Sequence, residues 1–181
     1  GGSDPYSSSK VAVEELIVSY RKIFEARNLN VKIAVARAGN VIGGGDFMPH
    51  RIIPDAFRAI EANSTLMLRN PEATRPWQHV LDPLLGYVAL AEKLDLSSSQ
   101  DFQGAFNFSN PSNFGVSVRA LLEHFPSDLG LKIEVEDQFT QYSEAKFLNL
   151  NSTKAQRMLN WNPQIGLSDA MKKTIEWQMN Y

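Results

Sequence analysis

Tyr6 and Lys10 stand four residues apart near the start of the chain. On a helix this spacing puts a phenol and an ammonium on one face. The chemistry that uses such a pair is removal of a proton from an alcohol as hydride leaves the same carbon. A free phenol keeps its proton at neutral pH. A neighbouring positive charge favours the phenolate and makes it a usable base. The pattern alone is weak. A second copy, Tyr142 and Lys146, occurs later, and we read it as coincidence. What singles out the first copy is its setting, at the head of an amphipathic helix that leads into a buried strand and a glycine-rich loop.

That loop, Gly39-Asn40-Val41-Ile42-Gly43-Gly44-Gly45-Asp46, is the second candidate. Loops that follow parallel strands are where α/β proteins bind ligands. Glycines let backbone approach a phosphate, and the Asn40 amide can donate to a phosphate oxygen. The same glycines would equally serve a tight connection, and the residues leave both readings open. The third candidate is Arg75-Pro76-Trp77-Gln78-His79-Val80-Leu81-Asp82. Arg75 carries a forked guanidinium suited to a diphosphate. Asp82 is placed to cap the next helix. His79 reads as a packing or hydrogen-bonding histidine.

The elements that position these residues follow from periodicity and caps. Asp4 and Pro5 open a helix over 5–27. Val13, Leu16, Ile17, Tyr20 and Phe24 predict a buried face on it. Residues 31–38 read as a strand apolar on both sides, as in a parallel sheet covered by helices. A helix over 53–62, a strand over 66–69 and a helix over 82–94 follow. A strand over 105–109, a helix over 116–125 and strands over 132–136 and 146–150 come next. Two short helices close the chain, one capped by Asn151 or Ser152, the other starting after Gly166 with Ser168 as its cap. The order is mixed α/β, with most strands too far apart for hairpins.

Composition excludes several classes. A formal net charge of -2 over 181 residues offers no basic patch for nucleic acid. With no cysteine there is no disulfide and no thiolate metal site, and the three histidines lack zinc-ligand spacing. No apolar run has the length of a membrane span. Gly-x-Gly-x-x-Gly is nowhere in the 181 residues. A soluble cytoplasmic protein is the simplest expectation. The opening, a turn at Gly1 to Pro5 feeding straight into a helix, reads as the interior of a domain.

Together these segments resemble the extended short-chain dehydrogenase/reductase superfamily, with Tyr6-x-x-x-Lys10 similar to its active-site pair and Arg75-x-Trp77-x-x-Val80-x-Asp82 to its arginine-bearing loop. The glycine-rich loop, Asp4 to Lys10 and Arg69-Asn70-Pro71 are most similar to the CDP-glucose 4,6-dehydratases. The resemblance covers essentially the whole chain. It implies one truncated unit over 1–181: a helix and strand from the end of a Rossmann-type domain, then a smaller mixed α/β substrate-binding region. Two positions depart from the pattern. Ser143-Glu144-Ala145 stands in place of His-Glu-Ala, and Asn149-Leu150-Asn151 in place of a segment with an aspartate.

The resemblance also implies a chemistry for the intact enzyme. NAD is the cofactor and a nucleotide sugar, CDP-glucose, the substrate. Tyr6 takes the proton of the sugar 4-hydroxyl, and Lys10 assists it and binds the nicotinamide ribose. Asn40 and Arg75 hold the diphosphate, and Asn107 contacts the nucleotide or ribose. The acid–base residues of the elimination precede Gly1 in the family, so this chain by itself is expected to be inactive and the intact protein to be a homo-oligomer. Two other readings are a related epimerase or decarboxylase that shares the pair, and a non-catalytic nucleotide-sugar-binding fragment.

Overall fold

Every strand pair in the computed structural model, which describes residues 4–136 and 147–181, is parallel. Strand β1 (Val35–Ala38) pairs with β5 (Ala105–Phe108), Val35 opposite Ala105 and Ala38 opposite Phe108. β2 (Val41–Ile42) pairs with β4 (Gln78–His79), and β3 (Thr65–Leu68) with β6 (Lys132–Val135). Parallel neighbours need long crossovers, and helices supply most of them. These are α2 (Ile52–Glu61), α3 (Leu81–Leu96) and the short α4 (Val118–Leu122). The α/β class with parallel pairing is as the sequence predicts. The two-residue strands β2 and β4 are not, because they fall in segments that read as loop or as helix approach.

The larger core gathers Phe57 of α2, Leu66 and Leu68 of β3, Leu121 of α4 and Met171 of α6 (Leu167–Asn180) around Trp77. The smaller one packs Phe106 and Phe108 of β5 against Leu90 of α3, against Ala155 and Leu159 of α5 (Thr153–Leu159), and against Trp161. Gly86 lets α3 settle onto β5: a Cβ there would stand 2.3 Å from the Phe108 ring.

Asp82 ties the start of α3 to the segment between α5 and α6. It lies inside the first turn of α3, 1% exposed, and its carboxylate accepts the backbone N–H groups of Gln164 at 2.9 Å and Ile165 at 3.2 Å. The Trp161 indole donates to its carbonyl at 2.9 Å. The expected helix-capping role is therefore corrected. Val80 occupies the cap position without a side-chain bond, and Asp82 staples a distant segment instead. Ser168 likewise lies inside α6, whose N-cap is Gly166.

Helix α1 (Pro5–Ala26) forms as predicted. Asp4 caps it by accepting the Ser7 N–H at 2.9 Å, and Pro5 fills the first turn. Its expected buried face is not buried. α1 has no buried residue, and Val13, Leu16 and Tyr20 are exposed. The helical spacing is present, but the described residues supply no surface to cover it. No described helix is long and apolar enough to cross a membrane. The strand expected over 146–150 is not formed by residues 147–150, where Phe147 makes a single bridge to Thr74. Lys146, Tyr142 and Ser143 to Ala145 lie outside the described residues.

Candidate active site

Tyr6 occupies the first turn of α1 and is 72% exposed. The capping bonds of Asp4 and a bond from Ser9 Oγ to the Tyr6 carbonyl at 2.7 Å hold that turn. Lys10 lies one turn on, with its Nζ 5.4 Å from the centre of the Tyr6 ring. The spacing thus does what it predicts: phenol and ammonium share one face, open to an incoming ligand.

One turn further, Glu14 completes the i, i+4, i+8 row. Arg37 of β1 grips its carboxylate with two nitrogens, Nε donating to Oε1 at 2.6 Å and Nη2 to Oε2. This fork holds the Glu14 carboxyl below the usual carboxylate range and pushes the Arg37 guanidinium higher still. The other edge of Arg37 reaches Asn107 Oδ1 at 3.5 Å, and Asn107 Nδ2 donates to the Asn151 carbonyl at 3.1 Å. Asn107 is therefore half-buried between a guanidinium and a backbone carbonyl. Neither Glu14 nor the partnership of Arg37 was singled out from the sequence. The signal was there in Glu14, four residues after Lys10.

Asn40 sits where the backbone changes partners. Gly39 N–H still bonds to Phe108 of β5 at 3.1 Å, while the Asn40 carbonyl already accepts from Gln78 of β4 at 2.9 Å. The residue is at the C-terminal end of β1, where one strand pair gives way to another, and open α/β sheets bind ligands at such points. Arg75 is 7% exposed, and its Nη1 donates to the Thr74 carbonyl at 2.8 Å. Glu14, on the same face of α1 as Tyr6 and Lys10, is linked through Arg37 to Asn107. Asn40 and Arg75 belong to the neighbouring β2–β4 region.

The glycines of the loop after β2 are explained by packing. A Cβ at Gly43 would meet Val80 at 2.7 Å, and one at Gly44 would lie 2.2 Å from Trp177 of α6. Gly45 has φ +80. Trp177 lies over the loop, stacked on Tyr181 at 5.0 Å and 6.1 Å from Phe47. His79 is buried, and its Nδ1 accepts the Leu81 N–H at 3.4 Å. Burial pushes its pKa below the ordinary histidine value, Lys173 pushes the same way, and Asp82 opposes both. That fits a packing histidine. A shallow groove over α6, lined by Lys173, Glu176, Trp177, Asn180 and Tyr181, contains none of the five candidate residues.

Residues 2–174 match the family model described as GDP-mannose 4,6 dehydratase. The chain belongs to that family. Among curated relatives of this dehydratase-family chain is CDP-glucose 4,6-dehydratase of Salmonella typhimurium, 35% identical over 182 residues, covering 98% of the chain and 50% of the relative. The chain spans about half the length of the curated relatives first matched. The fold is shared with UDP-glucuronic acid 4-epimerase from Bacillus cereus, solved with UDP-glucuronic acid and NAD. There the TM-score is 0.77 at 18% identity, over 96% of this chain and 52% of that one. It is shared as well with dTDP-glucose 4,6-dehydratase from Bacillus anthracis in complex with NAD, at TM-score 0.75 and 20% identity, over 98% and 52%. The resemblance to extended short-chain dehydrogenases read from the motifs agrees with all three.

Proposed function

We propose that this chain is the part of an NAD-dependent 4,6-dehydratase that carries the tyrosine–lysine pair and binds the nucleotide sugar, with CDP-glucose as substrate. One observation carries the reading. The Tyr6 phenol and the Lys10 ammonium lie together on an open helix face, in a chain 35% identical to a dehydratase of that substrate. Tyr6 accepts the proton of the sugar 4-hydroxyl. Lys10 favours the phenolate by its charge and donates to ribose hydroxyls.

The residues present fit the reactive end of NAD and not its diphosphate. Phenol and ammonium are exposed together, whereas the glycines at 43–45 are closed over by Val80 and Trp177. NAD, when bound there, would supply a reversible hydride acceptor for the sugar. Asn40 at the switch between strand pairs, Asn107 beside Arg37, and Arg75 at the base of its loop are assigned to the diphosphate and nucleotide of the substrate. The acid–base residues of the water elimination are assigned to the other half of the relatives' length, so the 181 residues alone are inactive. A homo-oligomer in the cytoplasm belongs to the same proposal.

The test is product analysis on a protein of the relatives' full length. The expected product from CDP-glucose is the 4-keto-6-deoxy sugar nucleotide, with turnover lost in Tyr6→Phe. A product that keeps its 6-hydroxyl favours an epimerase, and release of carbon dioxide from a nucleotide-linked uronic acid favours a decarboxylase. Near-normal turnover in Tyr6→Phe ends the assignment.

A further inference from the structure

Lys10 has a phenol four residues before it and a carboxylate four residues after it on the same helix face. It can turn to Tyr6 or to Glu14. Between an ammonium and a carboxylate at this spacing, attraction ordinarily favours the pair of full charges. Here Lys10 turns the other way, its Nζ over the Tyr6 ring at 5.4 Å. Among the described residues, the carboxylates flanking it are both engaged elsewhere. Arg37 takes both oxygens of Glu14. Ser7 takes both oxygens of Asp4, through its N–H at 2.9 Å and its hydroxyl at 2.6 Å.

We infer that Arg37 is a positioning residue: by occupying Glu14 from β1, it denies Lys10 its competing carboxylate and keeps the ammonium on Tyr6. A bidentate guanidinium–carboxylate pair outcompetes the point charge of a lysine for geometric reasons. The competing pair is also the poorer orientation for a helix, with lysine N-terminal to glutamate. The geometry accounts for the placement of Arg37 on β1, within reach of the Glu14 carboxylate of α1. Arg37 acts through Lys10 and need not touch substrate. The inference rests on the proposed role of the Tyr6–Lys10 pair for its functional meaning, while the side-chain geometry can be tested without turnover.

The experiment is nuclear magnetic resonance on the 181-residue chain, reading the ring-current shift that Tyr6 imposes on the Lys10 side-chain protons. The wild type shows the upfield shift. Arg37→Met loses it, because Glu14 is released to capture Lys10. Arg37→Met combined with Glu14→Gln regains it, because the competitor is neutral. Arg37→Lys retains only part of it, because a point charge at 37 lacks the fork that outcompetes Lys10, and circular dichroism on each variant reports whether α1 is intact. A purely structural role for Arg37 predicts that the double variant stays as perturbed as the single one, which overturns the inference. So does an unchanged shift in Arg37→Met, or its absence in the wild type. Glu14→Gln alone guards against misfolding of the β1 variants, and must keep the shift. Tyr6→Phe preserves the ring and the shift, so the inference stands or falls by this readout, whereas the catalytic reading stands or falls by turnover in Tyr6→Phe.

Discussion

α1 and α6 are both amphipathic helices, of 22 and 14 residues, but they are held in different ways. α6 buries Ala170, Met171, Thr174 and Ile175 and lays Trp177 on the glycine loop. α1 buries nothing, and named bonds tie it to the strand side through Arg37–Glu14 and through Arg21 Nε to the Ile33 carbonyl at 3.0 Å. Apolar periodicity reports that a helix has a face to bury. It does not report whether the same chain supplies the cover. The body of the molecule is organised by packing, the candidate catalytic helix by polar links.

The sharpest break of that contrast is in the body. Asp82→Ala removes a buried carboxylate and strands the Gln164 and Ile165 N–H groups. Hydrogen bonds to charged groups are worth about 1.5–3 kcal/mol each, so a loss of roughly 3–6 kcal/mol is expected in urea unfolding. Asp82→Asn should lose less, since one oxygen still accepts. A loss below about 1 kcal/mol in the alanine variant would show that Asp82 does not hold α3 to the 164–165 segment.

Gly44→Ala comes next. The new Cβ would sit 2.2 Å from Trp177 Cγ, and the indole, stacked on Tyr181, must shift. Overpacking of this kind costs about 1–3 kcal/mol. Combining it with Trp177→Ala should cost less than the sum of the two single changes. Strict additivity would mean that the glycine serves some need other than Trp177.

A smaller effect is expected from His79. Burial lowers its native pKa below the ordinary value of 6.5. The unfolded chain therefore binds a proton first as pH falls. The stability due to the neutral buried ring is complete above about pH 6.5 and is lost below it, toward the depressed native value. Carboxylates also respond to acid, so the comparison is between wild type and His79→Gln, unfolded in urea at about pH 7.5 and about pH 5.5. The variant should lose less on acidification. Equal losses would contradict the burial effect.

Much of the α/β order was legible in the sequence because local signals agree with the final packing. Asp4 and Pro5 start α1, and the run before Gly39 makes β1, though only over Val35–Ala38 and with no buried residue, where the sequence predicts a strand over 31–38 covered on both sides. What was not legible depends on distant partners. Asp82 looks like a cap by sequence neighbourhood, and its partners are about eighty residues away. The glycines at 43–45 look like a phosphate cradle until Trp177 arrives from the C-terminal helix. In the site, Tyr6 and Lys10 are local and were readable. Arg37 gripping Glu14 spans two elements and was not.

The smallest expected effect tests the opening contrast with chemistry held constant. Leu16 of α1 is 58% exposed and Leu121 of α4 is 0% exposed. Leu121→Ala removes fully buried methyl groups from the larger core, which costs about 2–5 kcal/mol. Leu16→Ala removes the same atoms from a surface that stays wet on folding, and alanine and leucine are both good helix formers. The expected change at Leu16 is within about 0.5 kcal/mol, as for ordinary surface positions. Both are measured by urea unfolding of the 181-residue chain. A protein of the relatives' full length provides the second half of the test. If another segment covers α1 there, Leu16→Ala should become costly in that protein while staying neutral in this chain, and Leu121→Ala should cost much the same in both. A loss of 2 kcal/mol or more at Leu16 in the 181-residue chain, as at a buried leucine, would mean that α1 is covered by packing after all, and the distinction between the two helices would fail.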